Sequence, residues 1–219
     1  MATHRTTAPV VDAVVLENLT DADAADLVAG AELDGVRHAD VDTDHLVLRG
    51  ARIDESRLDG LRAPEADLRQ LRLTEVVMAR VDVPVVQGVR GRWHGVELRD
   101  ARIGSAELYE SVWESVRLVG CKLGFVNLRG ARLRDVIFQD CTVDELDLVQ
   151  ATATRVSFED CRIGRLDVQA STLQDVDLRG AELAGVAGTD ALRGTVVSST
   201  QLADLAPLLA ANLGITVTD

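Results

Sequence analysis

Aromatic residues are scarce in this chain: three Phe, two Trp and one Tyr among 219 residues, 3% of the total. A sandwich or barrel fills a wide core with aromatic side chains, so this composition points to a narrow core filled by Leu, Val and Ala. Cysteine is limited to Cys121, Cys141 and Cys161, with no CxxC and no Cys/His cluster, which argues against a disulfide framework or a zinc site. No apolar run is long enough to cross a membrane as a helix. No Ser/His/Asp or Cys/His arrangement, phosphate loop or HExxH helix is present. The Gly/Asp nonapeptides that bind calcium in other β-helices are absent, and Thr152, Thr154 and Thr172 are too few for an ice-ordering threonine face. No catalytic residue, metal site or cofactor is therefore expected, and an enzyme is not expected.

Charge is missing from particular places. From Leu33 to Leu183 a large apolar residue recurs at every fifth position, 31 centres in all, of which 26 are Leu, Ile, Val, Met, Phe or Trp. The exceptions are His38, Thr43, Ala63, Gly88 and Ala153. Two residues before each centre stands Ala, Val, Leu or Cys in 27 of 31 cases; Ser56, Gly91, Ser111 and Ser171 fill the rest. None of these 62 positions is Asp, Glu, Lys or Arg in a chain that is 27% charged. About 17 would be expected by chance, so both phases face a core.

The spacing names the kind of core. Inward residues alternate in steps of two and three. A step of two keeps side chains on one face of an extended strand, and a step of three keeps that face only if the chain turns a corner. A helix fails, because five residues advance about 500° and the apolar positions would spiral around it. A heptad coiled coil, with steps of three and four, fails too. Each pentapeptide reads as a very short strand plus a turn, and a chain that repeats this winds into a β-solenoid.

Strings such as Val126-Asn127-Leu128-Arg129-Gly130-Ala131 and Val176-Asp177-Leu178-Arg179-Gly180-Ala181 resemble the A(D/N)LxX signature of the pentapeptide-repeat family. The resemblance implies an all-β fold, a right-handed quadrilateral β-helix with four pentapeptides per coil. The repeats then make about eight coils at about 4.8 Å each, a stack roughly 35–40 Å long. The expected division is a cap segment over residues 1–30, the β-helix over 31–185, and a C-terminal capping or dimerisation tail over 186–219.

Four repeats per coil place residues twenty apart on top of one another. Cys121, Cys141 and Cys161 obey that spacing, as do Val96, Val116, Val136, Val156 and Val176, Trp93 with Trp113, and Phe138 with Phe158. The cysteines read as an interior ladder of small soft side chains rather than a redox pair. Free thiols and the lack of a signal peptide point to a reducing cytoplasm.

The ends depart from the repeat. Thr20 and Asp23 suggest a capping box opening a short helix through Val28, stopped by Gly30. After Leu183 the repeat decays through Gly185, Gly188 and Gly194. Ser199 or Thr200 is placed to cap a helix with Leu202, Leu205, Leu209 and Leu213 on one stripe, and Pro207 predicts a kink or two short helices. Gly214 should end it, with Ile215-Thr216-Val217 as a candidate final strand. This tail either folds over its own last coil or docks on a second copy through Leu202, Leu205, Leu209 and Leu213. It resembles the dimerisation module of mycobacterial fluoroquinolone-resistance members of the family, which implies a homodimer through that end.

Two irregularities remain. Residues 83–95 place Gly88 at a centre, Gly91 at a small position and Pro84 where it would interrupt a strand ladder; Arg90, Arg92 and His94 add positive charge. The segment is either a recognition loop or a place where glycines make room for Trp93 and Trp113. His38 at a centre reads as a buried neutral imidazole, with none of His4, His45 or His94 placed to form a site with it.

The net charge of −13 is uneven. Residues 1–45 carry −8, residues 46–140 carry +2, and residues 141–219 carry −7. Such acidity serves solubility, and it also suits imitation of nucleic acid. The family resemblance implies that some bacterial members bind DNA gyrase, mimic its DNA segment and protect against quinolones. Two features depart from that pattern: arginine-rich middle coils and the lack of large projecting loops. The expected function is a non-enzymatic protein-binding solenoid, either a gyrase-binding DNA mimic or a scaffold for another partner. Direct binding of nucleic acid or membrane is not expected. The candidate contact residues are the outward acids Asp135, Asp140, Asp144, Glu145, Asp147, Glu159, Asp160, Asp175 and Asp177.

Overall fold

Excluding charge from two phases of a five-residue repeat forces every side chain at those phases inward, and the chain responds by coiling. The computed structural model describes residues 6–218, with only the main chain described at Asn212. Strands pair in parallel with partners twenty residues away: Trp93 with Trp113, Val116 with Val136, Leu146 with Leu166. Two sheets, of twelve and nine strands, each fold around a corner and together enclose a four-sided β-solenoid of about nine turns. The extra turn beyond the repeat comes from its ends. Thr20–Asp21 pairs with Val36 and Arg37 below the first repeat, and Thr195–Val196 pairs with Val176 and Asp177 above the last.

The corners explain the step of three. At three of them the chain passes through the left-handed region once per coil, as at Gln70, Glu75 and Arg80, and again at Glu110, Ser115 and Gly120. The fourth corner is held differently. Pro84, Gly104, Gly124 and Gly164 stack there, and a Cβ on Gly124 would lie 2.1 Å from the Gly104 carbonyl oxygen. Main chains of adjacent coils approach closely at this edge, and the glycines serve that approach rather than φ, although Pro84 and Asp144 stand in the same column with a Cβ.

Pro84 does not interrupt the ladder, contrary to the sequence expectation. Strand Asp82–Gln87 pairs on both sides, and the register steps from Val83 to Val85 on passing residue 84. Pro84 stands at the corner, where no ladder donor is required. Residues 83–95 are accordingly regular coil and not a loop. Gly91 does make room for Trp93, since its Cβ would lie 3.3 Å from the indole Nε1; Gly88 makes room for Leu108, at 2.6 Å.

The interior is the set of ladders the spacing requires. Trp93 stacks on Trp113 at 4.7 Å with 7° between planes, and Phe138 on Phe158 at 4.9 Å with 16°. Cys121, Cys141 and Cys161 are free and buried, and their thiols donate to main-chain carbonyls, Cys141 to Gln139 O at 3.2 Å and Cys161 to Phe138 O at 3.3 Å. Contact with Cys121 and burial push the Cys141 thiol up to about 12, which keeps it protonated and unreactive. His38 is fully buried with neither ring nitrogen bonded. Burial lowers its affinity for a proton, against the opposing pull of Asp26 and Asp23.

Both ends differ in detail from expectation. Asp23, not Thr20, caps the N-terminal turn; its side chain accepts from Ala25 N, and Asp26 returns the bond to Asp23 N. The turn is a single 3-10 segment, Ala24–Asp26, while Thr20 is used in a strand. At the other end one helix, Ser199–Asn212, continues through Pro207, and its cap is Ser198 paired with Gln201. Gly214, at φ +69°, closes it: Gly214 N donates to Ala211 O and Ile215 N to Ala210 O, a Schellman arrangement. Ile215-Thr216-Val217 forms no strand.

Candidate protein-binding surface

Outward positions carry the chain's charge, and the coil decides which of those charges meet. A residue at i and one at i+2 on the same short strand face the same way, and so do residues one coil apart. Arginines use both relations. Arg69 grips Asp67 and Arg179 grips Asp177 across two residues, while Arg90 bonds Glu110 at 2.6 Å and Arg155 grips Asp135 across one coil. Such pairs recur over the surface from the first coils to the last.

The candidate acids separate on this test. Asp147 is buried, 2% exposed, with Arg129 at 2.6 Å and the Val149 N–H at 3.0 Å on its carboxylate. Asp135 is buried under a two-point contact from Arg155 and accepts the Val10 N–H at 3.0 Å. The Arg155 guanidinium holds its carboxyl below the usual carboxylate range. Arg179 does the same to Asp177. These three carboxylates hold turns and coils together. Glu145 faces Arg165 at 3.7 Å. Asp140, Asp144, Glu159, Asp160 and Asp175 make no ion pair among the described residues; Asp175 accepts the Thr7 N–H at 3.2 Å.

The nine acids do not share one stripe. Asp140 and Asp160 stack on one corner, Asp135 and Asp175 line the preceding corner, and Glu159 and Asp177 lie between those corners. Asp144, Glu145 and Asp147 lie on the other sheet. Sequence reasoning gave no part to Arg155, Arg129 or Arg179, which decide which acids are free; their signal was an arginine two or twenty residues from an acid.

The tail does one job within its own chain. Leu205 is buried, and Gln201 Nε2 donates to two carbonyls at the edge of the last full coil, Ala181 O at 2.7 Å and Leu178 O at 2.6 Å, the latter also accepting the Ala181 N–H. Of the stripe named from the sequence, Leu209 is half-buried, while Leu202 and Leu213 are exposed, alongside Leu208, Ile215 and Val217.

Among the described residues, no group of three or more His, Cys, Asp or Glu is arranged to hold a metal ion, and no helix is long and apolar enough to cross a membrane. His4 lies outside the described residues.

No curated protein matches the sequence. Among solved structures, a trypsin-treated form of QnrB1, a plasmid-mediated fluoroquinolone resistance protein, is 16% identical at a TM-score of 0.27, covering 91% of this chain and 96% of that one. HetL, a pentapeptide-repeat protein involved in heterocyst differentiation regulation from the cyanobacterium Nostoc, is 16% identical at a TM-score of 0.19, covering 78% and 90%. These likenesses are too weak to carry a functional conclusion. The family model described as "Pentapeptide repeat region" matches residues 111–187. That match places a pentapeptide-repeat region at residues 111–187, and the five-residue register and the ladders that pair residues twenty apart extend on both sides of it.

Proposed function

We propose that this protein is a non-enzymatic protein-binding solenoid whose C-terminal coils present the contact surface to a basic partner. The observation that carries this is that Asp140, Asp144, Glu159 and Asp160 are exposed on adjacent coils and make no ion pair among the described residues, while Asp135, Asp147 and Asp177 beside them are held by arginines. Unpaired carboxylates held on a rigid main chain attract a complementary positive surface without paying for reordering. The exposed apolar face of the tail, with Leu202 and Leu213, joins two copies end to end and brings two such surfaces into one rod.

DNA gyrase is the first partner to test. Asp140 and Asp160 stack on one corner, one coil or about 4.8 Å apart. Stacked, unpaired carboxylates supply negative charge of the kind a groove built for the DNA backbone attracts. The test is a gyrase supercoiling assay with the purified chain titrated in, with and without a quinolone. Inhibition or drug protection is expected, and the double change Asp140→Lys with Asp160→Lys should abolish it in a folded protein. No effect at large excess of folded dimer removes gyrase and leaves the basic-partner reading, which affinity capture then addresses. Dimerisation is checked separately by light scattering: Leu202→Asp with Leu213→Asp should halve the measured mass.

A further inference from the structure

Residues 6–19 do not cap the solenoid; they run along its side. Thr7 N is bonded to Asp175, Val10 N to Asp135, and Thr20 N to the Gly35 carbonyl at 2.9 Å. Asp175, Asp135 and Gly35 belong to one corner column, so the segment follows that corner from the last coils back to the first. The lengths agree. Asp175 and Asp135 are two coils apart, about 10 Å, and three extended residues span about 10 Å.

The face beside this corner is unusual. Val77 and Ile137 point outward, as do Glu97 and Ser157 at equivalent positions, yet all four are buried, at 4%, 7%, 7% and 8% exposure. Val77 and Ile137 are not part of the inner core. Outward side chains become buried only under a cover. The strap supplies one: Pro9, Val11, Val14, Leu16 and Leu19 are half-buried, while Val10 and Val15 between them are 66% and 75% exposed. The cover is lightly held. Among the described residues, the strap from Val11 to Leu19 makes no hydrogen bond with any coil; its main-chain bonds begin again at Thr20. Segments with few bonds and little buried area open at low free energy.

We propose that this face is a docking groove for an extended peptide of alternating apolar residues, and that the N-terminal strap is its resident occupant, displaced when a partner segment of the same character binds. The groove supplies the outward apolar Val77 and Ile137, and two carboxylates, Asp135 and Asp175, placed to receive peptide N–H groups three residues apart. The strap competes at the high effective concentration of a tethered segment. This goes beyond the acidic surface and does not depend on the identity of its partner.

The probe is a fluorescent synthetic peptide of residues 6–19, with binding to the full chain read by anisotropy. Wild type should bind it weakly. A strap-loosened full chain, Val11→Asp with Leu16→Asp, should bind about tenfold more tightly or better, because the cis competitor is weakened. Adding Ile137→Asp to that chain should remove the gain, and a peptide carrying the same two aspartates should fail to bind. In wild type, hydrogen exchange should show amides 10–19 opening far faster than coil amides. The proposal is overturned if the loosened chain, folded by circular dichroism, does not bind the peptide, if Ile137→Asp leaves binding intact, or if the strap is as protected as the coils.

Discussion

The first two coils and the central coils follow one rule with unequal success. Up to residue 70 the strands are two to four residues long, such as Leu46–Val47 and Arg57–Asp59. From Arg72–Ala79 to Thr172–Asp177 they are six to eight. The inward positions account for the difference. In the first coils the centres include His38, Thr43 and Ala63, short or polar side chains that fill the interior less well than Leu or Phe. In the central coils Trp sits on Trp, Phe on Phe and Val on Val. Strand length therefore tracks how well each inward side chain fills the space above its neighbour, because two or three main-chain bonds per side are too few to hold a coil without packing.

This contrast can be broken most severely at the centre. Phe138→Asp buries an unpaired charge where exposure is 1%, and should cost more than about 4 kcal/mol. A thermal melt followed by circular dichroism should show the central coils lost, whereas Thr43→Asp in the first coils should cost far less.

Glycine sharpens the same comparison. Gly124→Ala drives a Cβ into the Gly104 carbonyl and should cost about 1–3 kcal/mol through forced backbone movement. Gly50→Ala meets open space, and only its φ of +70° opposes it, so about 1 kcal/mol is expected. Equal losses in urea denaturation would mean that coil contact at the glycine corner is not what demands glycine.

Carboxylates of the C-terminal coils should divide by their partners. Asp147→Ala leaves Arg129 and the Val149 N–H without an acceptor and should cost about 1–2 kcal/mol. Asp140→Ala, which breaks no ion pair, should stay within about 0.5 kcal/mol. If Asp140 proves the costlier, the division between structural and free acids is wrong.

The smallest effect at neutral pH belongs to His38. Its proton affinity is lowered on folding, so the unfolded chain binds the proton more readily. Stability from this residue is complete above the ordinary value of 6.5 and is lost as pH falls below it. Hydrogen exchange of amides 31–40, corrected for intrinsic rates, should show more opening at pH 5 than at pH 7, and His38→Leu should remove the difference.

Much of the coil was legible because its cause is local. Charge excluded from two phases names the inward residues, a step of two and three names the turn, and twenty-residue spacing names the Cys, Val, Trp and Phe ladders. Pro84 misled, because a proline inside an apparent strand looks disruptive unless the corner is known to fall on it. Pro207 misled for a related reason: one helix carries it, on a tail anchored by Leu205 and Gln201. The candidate acids were legible as a set of outward charges but not as individuals, since pairing depends on where each arginine reaches.

What the sequence determined by itself is the winding: a strict periodicity can be satisfied in only one way, so repeat, coil and core follow from neighbours in the chain. The tertiary structure alone decided which acids are free, where the tail presses, and that residues 6–19 lie along a corner. Those outcomes rest on contacts between residues 125 and 168 positions apart, Val10 with Asp135 and Thr7 with Asp175. No periodic pattern encodes such meetings, because they arise only once the coils have stacked and set each outward group at a definite height along the rod.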